Sequence, residues 1–571
     1  MYYEQLRQAK AELTGPGGAF EVIEAPVLGQ MLRCYKNVPP SARELWLSTI
    51  AYADRPYLVF GDERISYGEA HRIVNAVAGW MVEQGVKPGD RVAIAMRNYP
   101  EWMLIYWACL SSGIAAIGMN AWWTAEEMDY ALNDAAPKLL FLDAERAARL
   151  SEKPGMADGI PLIGVRMDAA QSALPAFTSW QSIIAQDRPM PAVAVDPDWD
   201  ACIFYTSGTT GHPKGAQLTH RGCIANLFNL MYSAASSARV TELVTGEAPP
   251  AVPATPVTLI TTPLFHVTAN NCGAYATTAA GGTLVLMHRW DAGEALRLIA
   301  AERVSSMSGV PVMARELISH PDFAHTDTSS LTALSGGGAQ VPPDLVLKIE
   351  AQVATARPST GYGMTETCGI ITSISGDFFV DKPDSAGPAM PSFEAKCVDD
   401  EGNDVPQGAI GELWVRGSCV IKGYINRPEA TAESITDGWL HTGDVARIDE
   451  NDFIFIVDRK KDMVLRGGEN VYCAEVEAVI YRHPAIAECC VFGVADERLG
   501  EEVGVAIVLK DGVPLDDAGL RAHCAPLIAK HKIPRYIWFL DEPLPRNASG
   551  KFLKRDLRDQ LSPDVATGIA A

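Results

Sequence analysis

The chain's 12 cysteines include no C-x-x-C pair, and the neighbours Cys489 and Cys490 fit no common metal-ligand spacing. That argues against a disulfide framework or a structural zinc site, and for buried free thiols in a reducing compartment. The amino terminus, MYYEQLRQAKAELTG, lacks the apolar core of a secretory signal, so a cytoplasmic location is expected. Basic charge is scarce: 48 Lys and Arg stand against 70 Asp and Glu, a formal charge of −22. Nucleic-acid phosphates reward excess Lys and Arg, so no nucleic-acid partner is expected. No internal repeat is visible. One stretch, Leu104 to Trp123, carries no charge over 20 positions, long enough for a bilayer. CLSSG and Asn120 interrupt it, so it reads as a helix ending near Ser112, a break at Gly113 and a buried strand, not a transmembrane segment.

At 571 residues with 48% hydrophobic and 21% charged, the chain is an ordinary globular protein too long for one core. Short β-branched runs alternate with helix-length segments: RVAIAM (91–96), KLLFLD (138–143), VTLITTP (257–263), GTLVLM (282–287) and LTALSGG (331–337). This predicts an α/β fold of two parallel-type sheets covered by helices. From about 390 to 458, short strands with Gly turns predict an antiparallel, barrel-like part. The expected division is a large N-terminal domain, 1–458, a charged link at 459–461, and a small α+β domain, 462–571. In the last we expect a helix at 474–482, strands at 487–494 and 501–510, a helix near 515–528 and a strand at 535–540. Within it, 530–558 holds eight basic residues against three acidic ones, either a solvated face or a site for a polyanion.

The stretch YTSGTTGHPKG (205–215) follows an apolar strand. Gly there permits close approach, successive N–H groups can cradle an anion, and Thr206, Ser207, Thr209, Thr210 and Lys214 add donors. The P-loop of nucleotide triphosphatases needs Gly-Lys-Ser/Thr opening a helix. Pro213 and Gly215 on either side of Lys214 oppose that.

This stretch resembles the phosphate-binding motif of the adenylate-forming superfamily, which includes acyl-CoA synthetases, nonribosomal adenylation domains and beetle luciferases. Further motifs follow in that family's order: PLFHV (263–267), SGGGAQVPP (335–343), GYGMTET (361–367), WLHTGDVARID (439–449), DRKKDMVLRGGENVYCAEVE (458–477) and PRNASGK (545–551). The resemblance covers roughly residues 40–560 and is greatest to fatty-acid–CoA ligases.

The resemblance implies ATP-dependent activation of a carboxylic acid as acyl-AMP, with Mg²⁺, followed by transfer to the thiol of CoA. It assigns Thr206, Ser207, Gly208, Thr209, Thr210, Gly211 and Lys214 to phosphate. Gly336, Gly337 and Gly338 would floor the nucleotide site, with Tyr362 against adenine and Gly363 beside it. Thr365 would reach the α-phosphate and Glu366 would ligate Mg²⁺. Asp444 and Arg459 would hold the ribose, and Lys551 would bridge carboxylate, phosphate and ribose. His266 would lie by the carboxylate and tunnel mouth. Lys461 would be the pivot on which the small, mobile domain rotates, bringing Arg466, Gly467 and Gly468 to the thiol tunnel. The basic run would then face CoA phosphates.

After His266 come small uncharged residues, VTANNCGAYATTAAGG, with no Asp between 267 and 290 to meet an amino acid's ammonium group. An uncharged acid is therefore expected, a medium- or long-chain fatty acid first and an aryl acid second. An acyl-AMP ligase serving a carrier protein, a luciferase-like oxygenase and a non-catalytic nucleotide binder remain as other readings. Residues 234–256, rich in Pro and Ala, read as a surface loop or lid, and a monomer or homodimer is expected.

Overall fold

The computed structural model describes residues 2–571 except 168–173, 175, 207–211, 248–254, 338–340, 342, 354, 468, 511, 548–550, 564–565, 567 and 570–571. Its large part is built on two sheets. The first orders seven strands as Lys214–Thr219, Asp200–Thr206, Ala115–Gly118, Arg91–Ala95, Leu139–Leu142, Leu162–Gly164 and Thr178–Ser179. The second has eight, running from Gly369–Ser375 through Arg357–Met364, Ala333–Gly336, Ser306–Gly309, Val257–Ile260 and Thr283–Leu286 to Pro56–Phe60 and Glu63–Ser66. Both are parallel inside, as the alternating pattern requires. Tight returns make Lys214–Thr219, Gly369–Ser375 and Glu63–Ser66 antiparallel edges.

Between the sheets lies the helix Pro100–Ser111, buried along its whole length. It is apolar all round because both sides meet protein, touching strands of each sheet. Trp107 stacks on Trp46 with ring centres 5.4 Å apart and donates its indole N–H to Tyr57 Oη at 2.7 Å. Gly113 then turns the chain at φ 68° into the buried strand Ala115–Gly118, so the uncharged stretch is core. Among the described residues no helix is long and apolar enough to cross a membrane. All 12 cysteines are free, and all but Cys272 are buried.

The expected barrel-like part is a six-stranded antiparallel sheet in which Phe453–Arg459 and Trp439–Ile448 pair side by side. It packs through Leu413, Val415 and Leu440 against Ile371 of the second sheet. After it, the small unit has the expected elements at Cys473–Ile480, Ile486–Asp496, Gly500–Leu509, Asp517–Cys524 and Tyr536–Leu540. A hairpin, Val464–Arg466 with Glu469–Val471, and a last helix, Lys554–Gln560, complete it.

Two expectations are corrected. Residues 234–245 are not a loop: they continue the 26-residue helix His220–Thr245, whose inner face buries Ser236 and Val240. The helix ends where Gly246 adopts φ 77° and its N–H reaches Glu242 O at 2.8 Å. Residues 248–254 of the same stretch lie outside the described residues. The basic run is also not a free cationic face. Lys532 pairs with Glu475 at 2.6 Å, Arg535 with Asp496 at 3.2 Å, Arg546 with Glu488 at 2.8 Å and Lys554 with Glu477 at 3.0 Å. Carboxylates distant in sequence thus pair with four of its eight basic residues, which a local charge count cannot register.

Candidate active site

The strand Asp200–Thr206 returns as Lys214–Thr219, with Thr206 opposite Lys214. Pro213 and Gly215 thus flank a strand start, as their opposition to a helix implied. Gly215 is required there, since a Cβ would meet Ile425 Cγ2 at 2.7 Å. The loop between, with Ser207, Gly208, Thr209, Thr210 and Gly211, lies outside the described residues. Its two ends, Thr206 and Lys214, open on a cavity of about 2640 Å³ walled by both parts of the chain.

Strand Arg357–Met364 and the single turn Thr365–Thr367 bring Tyr362, Gly363, Thr365 and Glu366 to this cavity. At Gly363, beside the bulge and opposite Ile370, the strands are so close that a Cβ would lie 1.9 Å from Gly369 O. Glu366 is buried, and Tyr424 Oη donates to its Oε1 at 2.8 Å. The Lys214 ammonium lies 4.9 Å from the centre of the same Tyr424 ring. Tyr424 is a site residue that sequence reasoning missed, because it lies outside every quoted motif.

From the antiparallel sheet come Asp444 and Arg459, opposite one another on paired strands. The Arg459 Nε is 3.3 Å from Asp444 Oδ1, and Tyr362 Oη donates to Asp444 Oδ2 at 2.5 Å. Burial, then the Asp444 carboxylate, pushes the Tyr362 phenol well above its ordinary value. The three side chains thus form one connected group on the cavity wall.

Lys551 enters from the small unit. An isolated β-bridge joins Arg546 and Phe552, Asn547 N–H donates to Lys551 O at 2.8 Å, and Lys551 N–H donates to Asn547 Oδ1 at 2.9 Å. Burial pulls the Lys551 ammonium down to about 8, helped by Arg459 and Lys461 and opposed by Asp444 and Glu366. Lys551 therefore shares one electrostatic environment with the other charged candidates. His266 is pulled down to about 4, by burial first and by Lys551 second, so it is neutral at pH 7. Its Nε2 has no hydrogen-bond partner among the described residues.

Beyond His266 the chain winds through a π-helical turn, Thr268–Ala274, into the helix Tyr275–Ala279. Val267, Thr268, Cys272, Gly273 and Ala276 of this segment, none of them charged, line the cavity, with Leu230 from the long helix. Gly336 ends its strand and Gly337 lines the cavity, while Gly338 lies outside the described residues. Lys461 is exposed on the chain between the two parts and lines the cavity rim. Arg466 and Gly467 are not brought to the site. Arg466 holds Glu502 at 2.6 Å and 2.9 Å, and Gly467 N–H reaches Leu499 O at 2.7 Å. Gly468 lies outside the described residues.

A buried group at the junction was also missed. Asp458, at the end of the antiparallel sheet, accepts the N–H bonds of Arg459 and Cys473. Burial raises its carboxyl to about 6, opposed by the nearby Lys554. Lys554 belongs to the small unit, so Asp458 and Lys554 couple the two parts.

Known proteins resemble the chain along most of its length. Residues 48–425 match the AMP-binding enzyme family and residues 475–551 match the AMP-binding enzyme C-terminal domain. The chain is 35% identical to a feruloyl-CoA synthase of Amycolatopsis sp over 501 residues, 87% of this chain and 94% of that protein. It is 33% identical to the long-chain-fatty-acid–CoA ligase FadD13 of Mycobacterium tuberculosis, over 88% of this chain and 94% of that protein. The solved structure of o-succinylbenzoate coenzyme A synthetase from Bacillus subtilis, in complex with ATP and magnesium ion, superposes with a TM-score of 0.74. Identity there is 29%, over 90% of this chain and 99% of that one. The chain belongs to the AMP-binding enzyme family, as an AMP-forming acid–CoA ligase.

Proposed function

We propose that this chain joins an uncharged carboxylic acid, aliphatic or aryl, to CoA at the cavity described above, using ATP and Mg²⁺. The observation that supports it most is the convergence of Lys551, Glu366, Asp444 and Arg459 on one cavity that the uncharged residues Val267, Thr268, Cys272, Gly273 and Ala276 also line. In the first step a carboxylate oxygen attacks the α-phosphorus, the bond to the bridging oxygen breaks, and pyrophosphate leaves. An anion approaching a polyanion needs positive charge, which Lys551 supplies from one side and Lys214 from the other. Asp444 accepts ribose hydroxyls in place of the Tyr362 hydrogen bond, and Arg459 holds Asp444 in position. Thr206 and Thr365 donate hydroxyls to phosphate oxygens. His266, neutral, hydrogen-bonds the acid's carboxylate rather than moving its proton.

The residues fit Mg²⁺. Among the described residues no cluster of three or more His, Cys, Asp or Glu could cage a metal, but Glu366 offers one hard carboxylate anchored by Tyr424. That is the usual protein share when phosphates and water complete the shell. Bound there, the ion would neutralise phosphate charge.

In the second step the CoA thiolate attacks the acyl carbonyl and AMP leaves. Arg466, Gly467 and Gly468 lie away from the cavity or outside the described residues, so their approach requires the small unit to turn. Lys461, exposed and two residues past Arg459, is the pivot we assign, since few backbone angles need change there. Mass spectrometry of products from ATP, Mg²⁺, CoA and a pool of fatty and aryl acids tests the reading. Acyl-CoA with AMP supports it, whereas acyl-AMP accumulating without thioester would move the acceptor to a carrier protein.

A further inference from the structure

The uncharged part of the cavity lining is not uniformly apolar. Strands Val257–Ile260 and Ser306–Gly309 are parallel neighbours with Thr258 opposite Ser306. One step further up, Ser308, Ser335 and Ser359 stand in register across three adjacent strands. Residues two apart on a strand share a face, and all five line the cavity, so one sheet face presents two rows of hydroxyls to it. A wall meant to grip an alkyl chain would carry branched apolar side chains there, because each buried methylene is stabilised by leaving water.

The Thr258–Ser306 row has a polarity. Thr277 Oγ1 donates to Gly273 O at 3.0 Å, so its oxygen accepts from Thr258 Oγ1, 2.6 Å away. Thr258, its hydrogen committed, accepts from Ser306 Oγ at 2.9 Å. The chain of donors runs from Ser306 to a backbone carbonyl and leaves the Ser306 oxygen free to accept at its open end. Thr258 and Thr277 are nearly fully buried, at 6% and 3% exposure, where an unanswered polar site is costly. Thr258 lies eight residues before His266 in the chain, and both line the cavity.

We propose, on the basis of the ligase reading above, that the acid carries a hydroxyl group at the end remote from its carboxylate, donated to Ser306 at the open end of this hydroxyl row. The shared chemistry is a distally hydroxylated acid, and both a phenolic and an aliphatic form meet it. Ser308, Ser335 and Ser359 then receive further oxygen functions along the body of the acid.

The test is kcat/KM for acyl-CoA formation with matched pairs, one member hydroxylated at the far end and the other deoxy, in an aryl series and in an aliphatic series. The native enzyme is expected to favour the hydroxylated member by about tenfold or more in at least one series, the discrimination of one buried hydrogen bond or better. The series showing it names the source. In Thr258→Val and Ser306→Ala variants the ratio is expected to collapse to within about twofold of unity. Deoxy acids turning over as well as their partners in the native enzyme would overturn the inference while leaving the ligase reading intact, whether or not either variant folds. A native preference that survives both substitutions would equally remove it from this row. If no acid in either series yields AMP, the ligase reading fails and takes the inference with it.

Discussion

Tyr424 holds Glu366 by a hydrogen bond of 2.8 Å from its phenol to Oε1, with the Lys214 ammonium 4.9 Å from the ring centre. A residue of the strand-to-sheet connection thus orients the carboxylate assigned to Mg²⁺ and packs against the lysine assigned to phosphate. Tyr424→Phe keeps the ring and removes the hydrogen bond. A hydrogen bond to a charged group contributes about 1.5–3 kcal/mol, so adenylation is expected to slow about tenfold or more, with half-saturation at higher Mg²⁺. Pyrophosphate release measured against Mg²⁺ concentration checks this, and an unaltered Mg²⁺ curve would remove Tyr424 from that role.

Lys551 supplies a second expectation. Its ammonium, held down to about 8, loses its proton as pH rises through that value, so kcat/KM for adenylation should fall with one proton above about pH 8. Lys551→Arg, which stays charged, should lose that alkaline limb even if its rate is lower. Lys551→Ala should slow adenylation about a hundredfold or more, while transfer from supplied acyl-AMP remains largely intact. Equal loss in both half-reactions would contradict the assignment.

Lys461→Pro probes the pivot. Proline fixes φ and so restrains the turning of the small unit without touching the arrangement described here, in which Lys551 is already in the cavity. Adenylation is expected to persist and thioester formation to stop. Half-reaction assays decide the point: if both proceed at native rates, rotation about Lys461 is excluded.

Gly363→Ala tests the wall itself. The added carbon would lie 1.9 Å from the backbone oxygen of Gly369, so the two strands must part. Overpacking of this kind typically costs about 1–3 kcal/mol, and it falls between Tyr362 and Glu366. A lower midpoint of thermal unfolding together with at least tenfold weaker adenylation is expected, and native values for both would show that the bulge can relax.

Much of the frame was legible because the pattern is local. Strands at 91–96, 138–143 and 282–287 announce themselves by apolar β-branched runs, and the break at Gly113 by a residue that tolerates positive φ. Residues 234–245 read as part of a loop because of Pro249, Pro250, Pro253 and Pro256 just beyond them, although Ala within the stretch favours helix. Burial of Ser236 and Val240 against the second sheet's neighbours decides in favour of helix, and nothing local records that burial. The basic run misled for a related reason. Its counter-charges, Glu475, Glu477, Glu488 and Asp496, lie 39–77 positions earlier in the chain.

The sequence by itself carried the ordered motifs whose resemblance to the adenylate-forming superfamily marks which residues are candidates for adenylation chemistry. Only the tertiary structure decided their company. Tyr424 on Glu366, Arg459 on Asp444, Lys554 near Asp458 and the hydroxyl chain from Ser306 to Gly273 join segments far apart in the chain. Hydrogen bonds and charges act over a few ångströms in space, and distance along the chain carries no record of them until the sheets bring those segments together.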